Sequence, residues 1–208
     1  MSIDYHHFPL FPLKTVIFPG GIMPLRIFET RYTDMLRECM KAPEPIFGIC
    51  TLHELSSESD PDVEIFKTGT LVKVIDFDLG ADQMLNVTVQ GQSKFEIIRT
   101  QVDEHNLLRG DLTLLPAEND SELTVEYQDL ELLLKKVFSD WKKTEGSAYS
   151  RFYRADYDSA EWVSSRLSEF ISMTMEEKQS LLECHDPNER LDQLRIILSS
   201  QATDEKAN

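Results

Sequence analysis

Apolar positions change their period once along this chain, close to Pro116. Before that point they fall in short runs separated by turn residues, and eight of the nine prolines and seven of the eight glycines lie within the first 116 residues. Phe8 to Leu13 and Ile22 to Ile27 are two such runs, divided by the Pro19-Gly20-Gly21 turn. Ile46 to Leu52 is a third, followed by a polar, acidic loop from His53 to Asp62. Leu71 to Leu79 is almost continuously apolar, the pattern of a strand covered on both faces. In Leu85 to Gln90, apolar Leu85, Val87 and Val89 alternate with polar Asn86, Thr88 and Gln90, so one face enters a core and the other meets water. Gly80 to Gln83 joins these two as a hairpin, and Phe95 to Ile98 and Leu107 to Leu115 complete a set of short strands.

One helix interrupts this region. From Glu29 to Met40, the residues Tyr32, Met35, Leu36, Cys39 and Met40 recur at the three- and four-residue spacing of a packed helical stripe, and Pro43 and Pro45 stop it. Cys39 lies on that stripe and reads as a core thiol.

After Pro116 the spacing is helical throughout. Asn119 with Glu122 suggests a capping box ahead of the stripe Leu123, Tyr127, Leu130, Leu134, Val137 and Trp141. A loop with Gly146 follows, and Asp158 with Glu161 opens a second helix carrying Trp162, Val163, Leu167, Phe170 and Ile171, both tryptophans reading as core. Thr174 with Glu177 caps a short third helix. Asp186-Pro187-Asn188-Glu189 starts a fourth: a capping Asp, proline at the first helical position, then Glu. Gln201 to Asn208 reads as a polar tail. The fold class expected is α+β, with a β-rich domain over 1–117 that contains one inserted helix and a helical domain over 118–208.

Charge narrows the partners. With 37 Asp and Glu against 21 Lys and Arg, the formal net charge is -16. Such a surface repels phosphate backbones and anionic membranes, so no nucleic-acid or membrane partner is expected. The opening residues lack a signal peptide, no window approaches a membrane span, and three scattered cysteines do not form a disulfide framework. A cytoplasmic, reduced setting follows as the expectation.

Catalytic signatures are missing. There is no G-x-x-x-x-G-K-[ST] loop, G-x-S-x-G elbow, H-E-x-x-H helix or C-x-x-C pair. His6-His7 in a terminal segment and Cys184-His185 between helices read as surface and packing residues, not as a metal site or a nucleophile with its base. The acidic runs Glu58 to Asp62 and Glu176-Glu177 read as solvated faces and helix-start charges. No cofactor, metal or catalytic residue is expected.

The segment Phe8 to Tyr32, FPLFPLKTVIFPGGIMPLRIFETRY, resembles the opening of the Lon N-terminal domain family, in particular its stand-alone branch. Phe47-Gly48-Ile49, Gly69-Thr70 and the stretch Asn86 to Ile97 continue the likeness. Glu177 to Glu183 and Asp186 to Leu191 are similar to the closing helices of that domain. Thr30 stands where proline is common in the branch, and Arg26 where histidine is. The resemblance implies a PUA-like β pseudo-barrel with one inserted helix, followed by a C-terminal α-helical bundle. It also implies a role in recognising polypeptides, apart from the ATPase and the Ser-Lys proteolytic dyad of full Lon proteases.

The expected partner is therefore an unfolded polypeptide or a protein such as a protease, in protein quality control. The candidate binding residues are Met23, Arg26, Phe28, Glu29, Arg31 and Tyr32, where a strand feeds a helix and apolar side chains mix with charge. Phe28 and Tyr32 have two roles open to them: lining an apolar surface, or locking the strand–helix joint into the core. Two other functions stay open: RNA binding, because PUA-like barrels include RNA readers, and hydrolysis by an unrecognised site. The sequence leaves the oligomeric state undecided.

Overall fold

The alternating runs of the first half form six strands around one helix. They are β1 (Phe8–Leu13), β2 (Ile22–Ile27), α1 (Thr30–Cys39), β3 (Ile46–Leu52), β4 (Ile65–Leu79), β5 (Leu85–Val102) and β6 (Leu108–Leu114). The computed structural model describes residues 4–53, 64–80, 84–144 and 149–207. The expected loop from His53 to Asp62 with its acidic run, the Gly80 to Gln83 joint and the Gly146 loop lie largely outside those residues. Contacts divide the chain into two compact units, residues 1–117 and 118–208.

In the first unit the strands run in the order β2-β5-β4-β3-β1-β6, and β6 also pairs with β5, so the ladder returns on itself. The length of β5 makes this geometry. Its first half pairs with β2, from Leu85↔Ile27 to Gln90↔Ile22, and its second half pairs with β6, from Phe95↔Leu114 to Val102↔Leu108. Only the β1–β3 pairing is parallel among these ladders.

Successive residues serve opposite faces, as a pleated strand requires. Val72 packs with Phe11, Tyr32, Phe47 and Val89 in one buried cluster, while Leu71 joins Leu10, Phe95 and Ile97 in another. The double coverage expected for Leu71 to Leu79 therefore holds as far as Val74. Beyond it, Phe77 and Leu79 are largely exposed, although their partners Val87 and Leu85 on β5 are in or packed against the core, and a register shift between Val74 and Asp76 separates the two stretches of β4.

Phe95 to Ile98 is not a separate strand: β5 continues through Gly91. Gly91 exchanges backbone hydrogen bonds with the turn, donating to the Gly21 carbonyl and accepting from the Gly20 N–H, both at 2.9 Å. A Cβ at Gly91 would lie 2.1 Å from the Phe18 carbonyl oxygen, so the close approach of turn and strand depends on glycine there. Gly20 itself has φ 74, a conformation glycine adopts without strain.

The second unit holds α2 (Gln128–Lys143), α3 (Ala160–Phe170), α4 (Met175–Glu183) and α5 (Pro187–Ala207), with 3-10 turns at Val125–Tyr127 and Ser150–Phe152. Thr174 and Glu177 form the expected reciprocal capping box. Asp186 Oδ1 accepts from the Asn188 and Glu189 N–H groups ahead of α5.

Three expectations fail here. Asn119 and Glu122 cap no helix, because Glu122 bridges to Ser159 in an antiparallel pair and Leu123 N–H donates to the Asp158 carbonyl, which holds this backbone extended. The cap of α3 is Ser159 and not Asp158, its hydroxyl accepting from the Trp162 N–H at 2.9 Å. The third concerns the two tryptophans expected in the core; the polar tail, for its part, continues α5 as helix to Ala207. Trp141 and Trp162 are half-buried, and the ring at the centre of the aromatic cluster is Phe138, 1% exposed, with Trp141, Tyr153 and Phe170 around it.

Arg190 sits at the centre of this unit, fully buried. Its guanidinium donates to the Leu181 and Cys184 carbonyls, the Ser164 and Ser165 hydroxyls and the Glu118 carboxylate, which ties α3, α4, α5 and the segment before α2 together. Five donors in a planar fork suit a junction of this kind better than the point charge of lysine.

Candidate functional site

The period-two pattern of β2 decides which candidate residues meet solvent. Leu25 and Ile27 point into the core, 8% and 3% exposed, so Pro24, Arg26 and Phe28 point outward. Phe28 is 71% exposed, an unusual position for a large aromatic ring. Met23 is half-buried and packs against the core cluster from the paired position opposite Val89.

The strand becomes a helix at Glu29. Its backbone remains extended (φ -90, ψ 135) while its carbonyl accepts from the Tyr32 and Thr33 N–H groups, both at 3.1 Å. The Glu29 side chain does not cap the helix. It accepts instead from Arg31 Nε at 2.8 Å. Arg31 also donates to the Asn106 carbonyl at 3.0 Å and lies 4.7 Å above the Tyr32 ring. Tyr32, 3% exposed, stacks on Phe11 of β1 with ring centroids 3.9 Å apart.

These elements leave a pocket of about 180 Å³ between β1 and β2. Phe11 and Leu13 form one wall, Pro24 to Ile27 the other, with Phe28, Glu29 and Tyr32 at the start of α1. Of the six candidate residues, the structure brings Arg26, Phe28, Glu29 and Tyr32 to this pocket. Met23 and Arg31 do not line it: Met23 supports the core edge, and Arg31 holds the helix start to the connection before β6. Sequence reasoning missed Phe11 and Leu13, although alternation along β1 places both on the same face.

The two roles open for the aromatic pair are divided between them. Tyr32 locks the joint into the core, and Phe28 is the exposed ring at the lip. The pocket presents apolar walls with a guanidinium and a carboxylate at its edge, which suits noncovalent binding of an apolar group. Cys39, on the same helix, is a core thiol pushed up to about 11 by burial, with the Glu38 charge adding to the effect. Cys184 is half-buried with its thiol 3.3 Å from the Asp186 carbonyl, while His6, His7 and His185 are exposed. Among the described residues, no group of three or more His, Cys, Asp or Glu is placed to hold a metal, and no helix is long and apolar enough to cross a membrane.

Comparison with known proteins places this geometry in a family. The model of the ATP-dependent protease La (LON) substrate-binding domain matches residues 7–200. Lon protease 1 of Hydrogenovibrio crunogenus is 28% identical over 190 residues, covering 89% of this chain and 23% of the relative. Lon protease of Xanthomonas oryzae pv. oryzae is 26% identical over 191 residues, covering 89% of this chain and 22% of the relative. The chain thus spans less than a quarter of the length of these two proteases. Among solved structures, the Lon N-terminal domain protein from Xanthomonas campestris superposes with a TM-score of 0.73 at 30% identity, covering 91% of this chain and 96% of that one. The N-terminal domain of the Mycobacterium avium complex Lon protease shares the fold, with a TM-score of 0.60 at 19% identity over 90% of this chain and 95% of that one. A mixed α+β fold, a six-stranded sheet with five helices among the described residues, and a match over nearly all of the chain agree: this protein belongs to the Lon substrate-binding domain family.

Proposed function

We propose that this chain is a non-catalytic polypeptide-recognition module that binds unfolded proteins, or a protein partner such as a protease, in cytoplasmic protein quality control. The exposed Phe28 ring at the lip of an apolar pocket, edged by Arg26 and Glu29, carries the reading. Exposed apolar side chains are the feature that distinguishes an unfolded chain from a folded one, and a small apolar pocket with a polar edge selects for them. A pocket of this size takes one large side chain, which contributes about 1.5–3 kcal/mol on burial. Binding then depends on several weak contacts along an extended segment. The permissive Met23 and aromatic Phe28 beside the pocket fit such contacts.

In architecture, the closed ladder of residues 1–117 supports a PUA-like pseudo-barrel, and α2 to α5 support a helical bundle over 118–208 as a separate domain. The net charge of -16 supports a protein partner over nucleic acid. Fluorescence anisotropy of a labelled, permanently unfolded polypeptide, titrated beside a compact folded control, tests the function. Saturable binding confined to the unfolded chain is expected. Equal or no binding of both at high micromolar protein contradicts it.

A further inference from the structure

A second concavity lies at the other end of α1. It has a volume of about 480 Å³ and is bounded by the residues leading into β1, the last turn of α1 and the connection to β3. Phe8, Pro9 and Ile46 give it an apolar floor, with Ala42 and Pro43 as an exposed wall. Asp4, Glu38 and Glu44 stand around it.

The charges are unevenly matched. The lining cation Arg109 has a side chain only 13% exposed, and its guanidinium is already engaged: Nε donates to Asp103 at 2.7 Å, Nη2 to Glu38 at 3.0 Å and Nη1 to the His7 carbonyl at 3.4 Å. Lys73 approaches Glu44 only to 3.8 Å, with both side chains exposed, a pair of small energetic weight. The lining histidines His6 and His7 are exposed. The Arg109 guanidinium is held by Glu38 and, behind it, Asp103, while Asp4, which accepts from the His6 N–H at 3.0 Å, and Glu44 line the concavity without an ion pair to Arg109. The chain's net charge of -16 adds a long-range attraction for cations.

We infer that this concavity is a second recognition site, selective for an extended, cationic polypeptide segment that seats one apolar side chain on the Phe8–Ile46 floor and turns Lys or Arg toward Asp4 and Glu44. The inference rests on the reading of the chain as a polypeptide-recognition module, and assigns it a charge-selective site distinct from the pocket beside Phe28. Electrostatic complementarity of this kind governs encounter rate and partner choice, and it weakens as salt is added.

The test uses a short fluorescein-labelled peptide with one central Leu flanked by Lys and Arg, and a counterpart with Glu at every basic position. Wild-type protein is expected to bind the basic peptide at low salt and not the acidic one. Glu44→Lys, a change at an exposed side chain, is expected to weaken that binding about fivefold or more. Ala42→Trp, which fills the concavity from its exposed wall, removes binding of the peptide at any salt. Phe28→Ser leaves the basic peptide unaffected.

Absence of binding, equal affinity for the two peptides, or an affinity unchanged by Glu44→Lys and Ala42→Trp overturns the inference. If Phe28→Ser alone abolishes binding of the basic peptide, the segment sits in the first pocket. The inference then fails while the proposed function stands. In the converse case the unfolded polypeptide does not bind, yet the basic peptide binds and responds to Glu44→Lys. The charge-selective site then stands while the proposed function fails.

Discussion

Tyr32 at the start of α1 stacks on Phe11 of β1, with ring centroids 3.9 Å apart and planes 25° from parallel, and this contact fixes the helix against the strand that walls the pocket. Phe28, four residues earlier, makes no such contribution, for its ring is 71% exposed. Substitution should separate the two. Tyr32→Ala is expected to destabilise the protein by about 3–5 kcal/mol, as large-to-small changes of buried aromatic rings do. Phe28→Ser should change stability by about 0.5 kcal/mol or less. Denaturant unfolding of both variants beside wild type checks this, and comparable losses would show that Phe28 is a packing residue.

At Gly91 the expected effect comes from the backbone. A methyl group there meets the Phe18 carbonyl oxygen at 2.1 Å, and a carbonyl cannot swing aside as a flexible side chain can. Gly91→Ala should therefore cost about 1–3 kcal/mol or more in thermal or denaturant unfolding, the range of overpacked sites. A neutral result would mean that the turn at Gly20-Gly21 moves freely away from β5.

Much of the first unit was legible because its signals are local. Tyr32, Met35, Leu36 and Cys39, picked out by spacing, are the buried residues of α1, whereas Met40, placed on the same stripe, follows the last helical residue and is exposed. The runs Phe8–Leu13, Ile22–Ile27 and Ile46–Leu52 coincide with β1, β2 and β3. The failures occur where distant residues decide. Glu122 forms a bridge with Ser159 in place of a helix cap, and the strands expected over Leu85 to Gln90 and Phe95 to Ile98 are joined through Gly91, the crossing point with the turn at Gly20. In the candidate site, the outward set Arg26 and Phe28 follows from alternation. The engagement of Arg31 by Asn106, and the presence of Phe11 and Leu13 at the pocket, depend on contacts between segments far apart in sequence.

Arg190 should be intolerant of conservative change. Its fully buried guanidinium serves Glu118, two serine hydroxyls and two carbonyls at once. Arg190→Met leaves Glu118 in place without this partner, and removing one member of a buried pair costs about 3–5 kcal/mol. Arg190→Lys retains the charge but loses the fork, so it should recover only part of the loss. Unfolding curves of the two variants, compared at one pH, check the order.

Glu161 gives a pH dependence with a definite sign. Burial, together with the charges of Glu118 and Asp120, raises its carboxyl above the usual range. The folded state therefore holds this proton more tightly than the unfolded state, so the charged form weakens the fold. The penalty is full above the raised value. It fades as pH falls toward the ordinary glutamate value of about 4.3. Glu161→Gln should stabilise the protein at pH 7, with the gain shrinking on acidification through that window. Asp103 has the opposite sign: burial pushes it upward, but hydrogen bonds from Arg109 and from the Leu107 and His105 N–H groups outweigh this and hold it below the carboxylate range. Its contribution is present above the ordinary aspartate value of about 3.9 and is lost only as pH falls through the lower folded value. Stability of wild type and Glu161→Gln measured from pH 7 to 4 checks the sign for Glu161, and a constant difference across that range would contradict its raised value.

In the proposed function, the pocket between β1 and β2 holds polypeptide through the ring at its lip. The most direct measurement is the affinity of wild type and Phe28→Ser for one labelled, permanently unfolded polypeptide, with both proteins first matched for thermal stability. Loss of one exposed aromatic contact of about 1.5–3 kcal/mol should weaken binding by about tenfold or more at unchanged stability. Equal affinity of the two proteins, both stably folded, would contradict this role for Phe28 and its pocket.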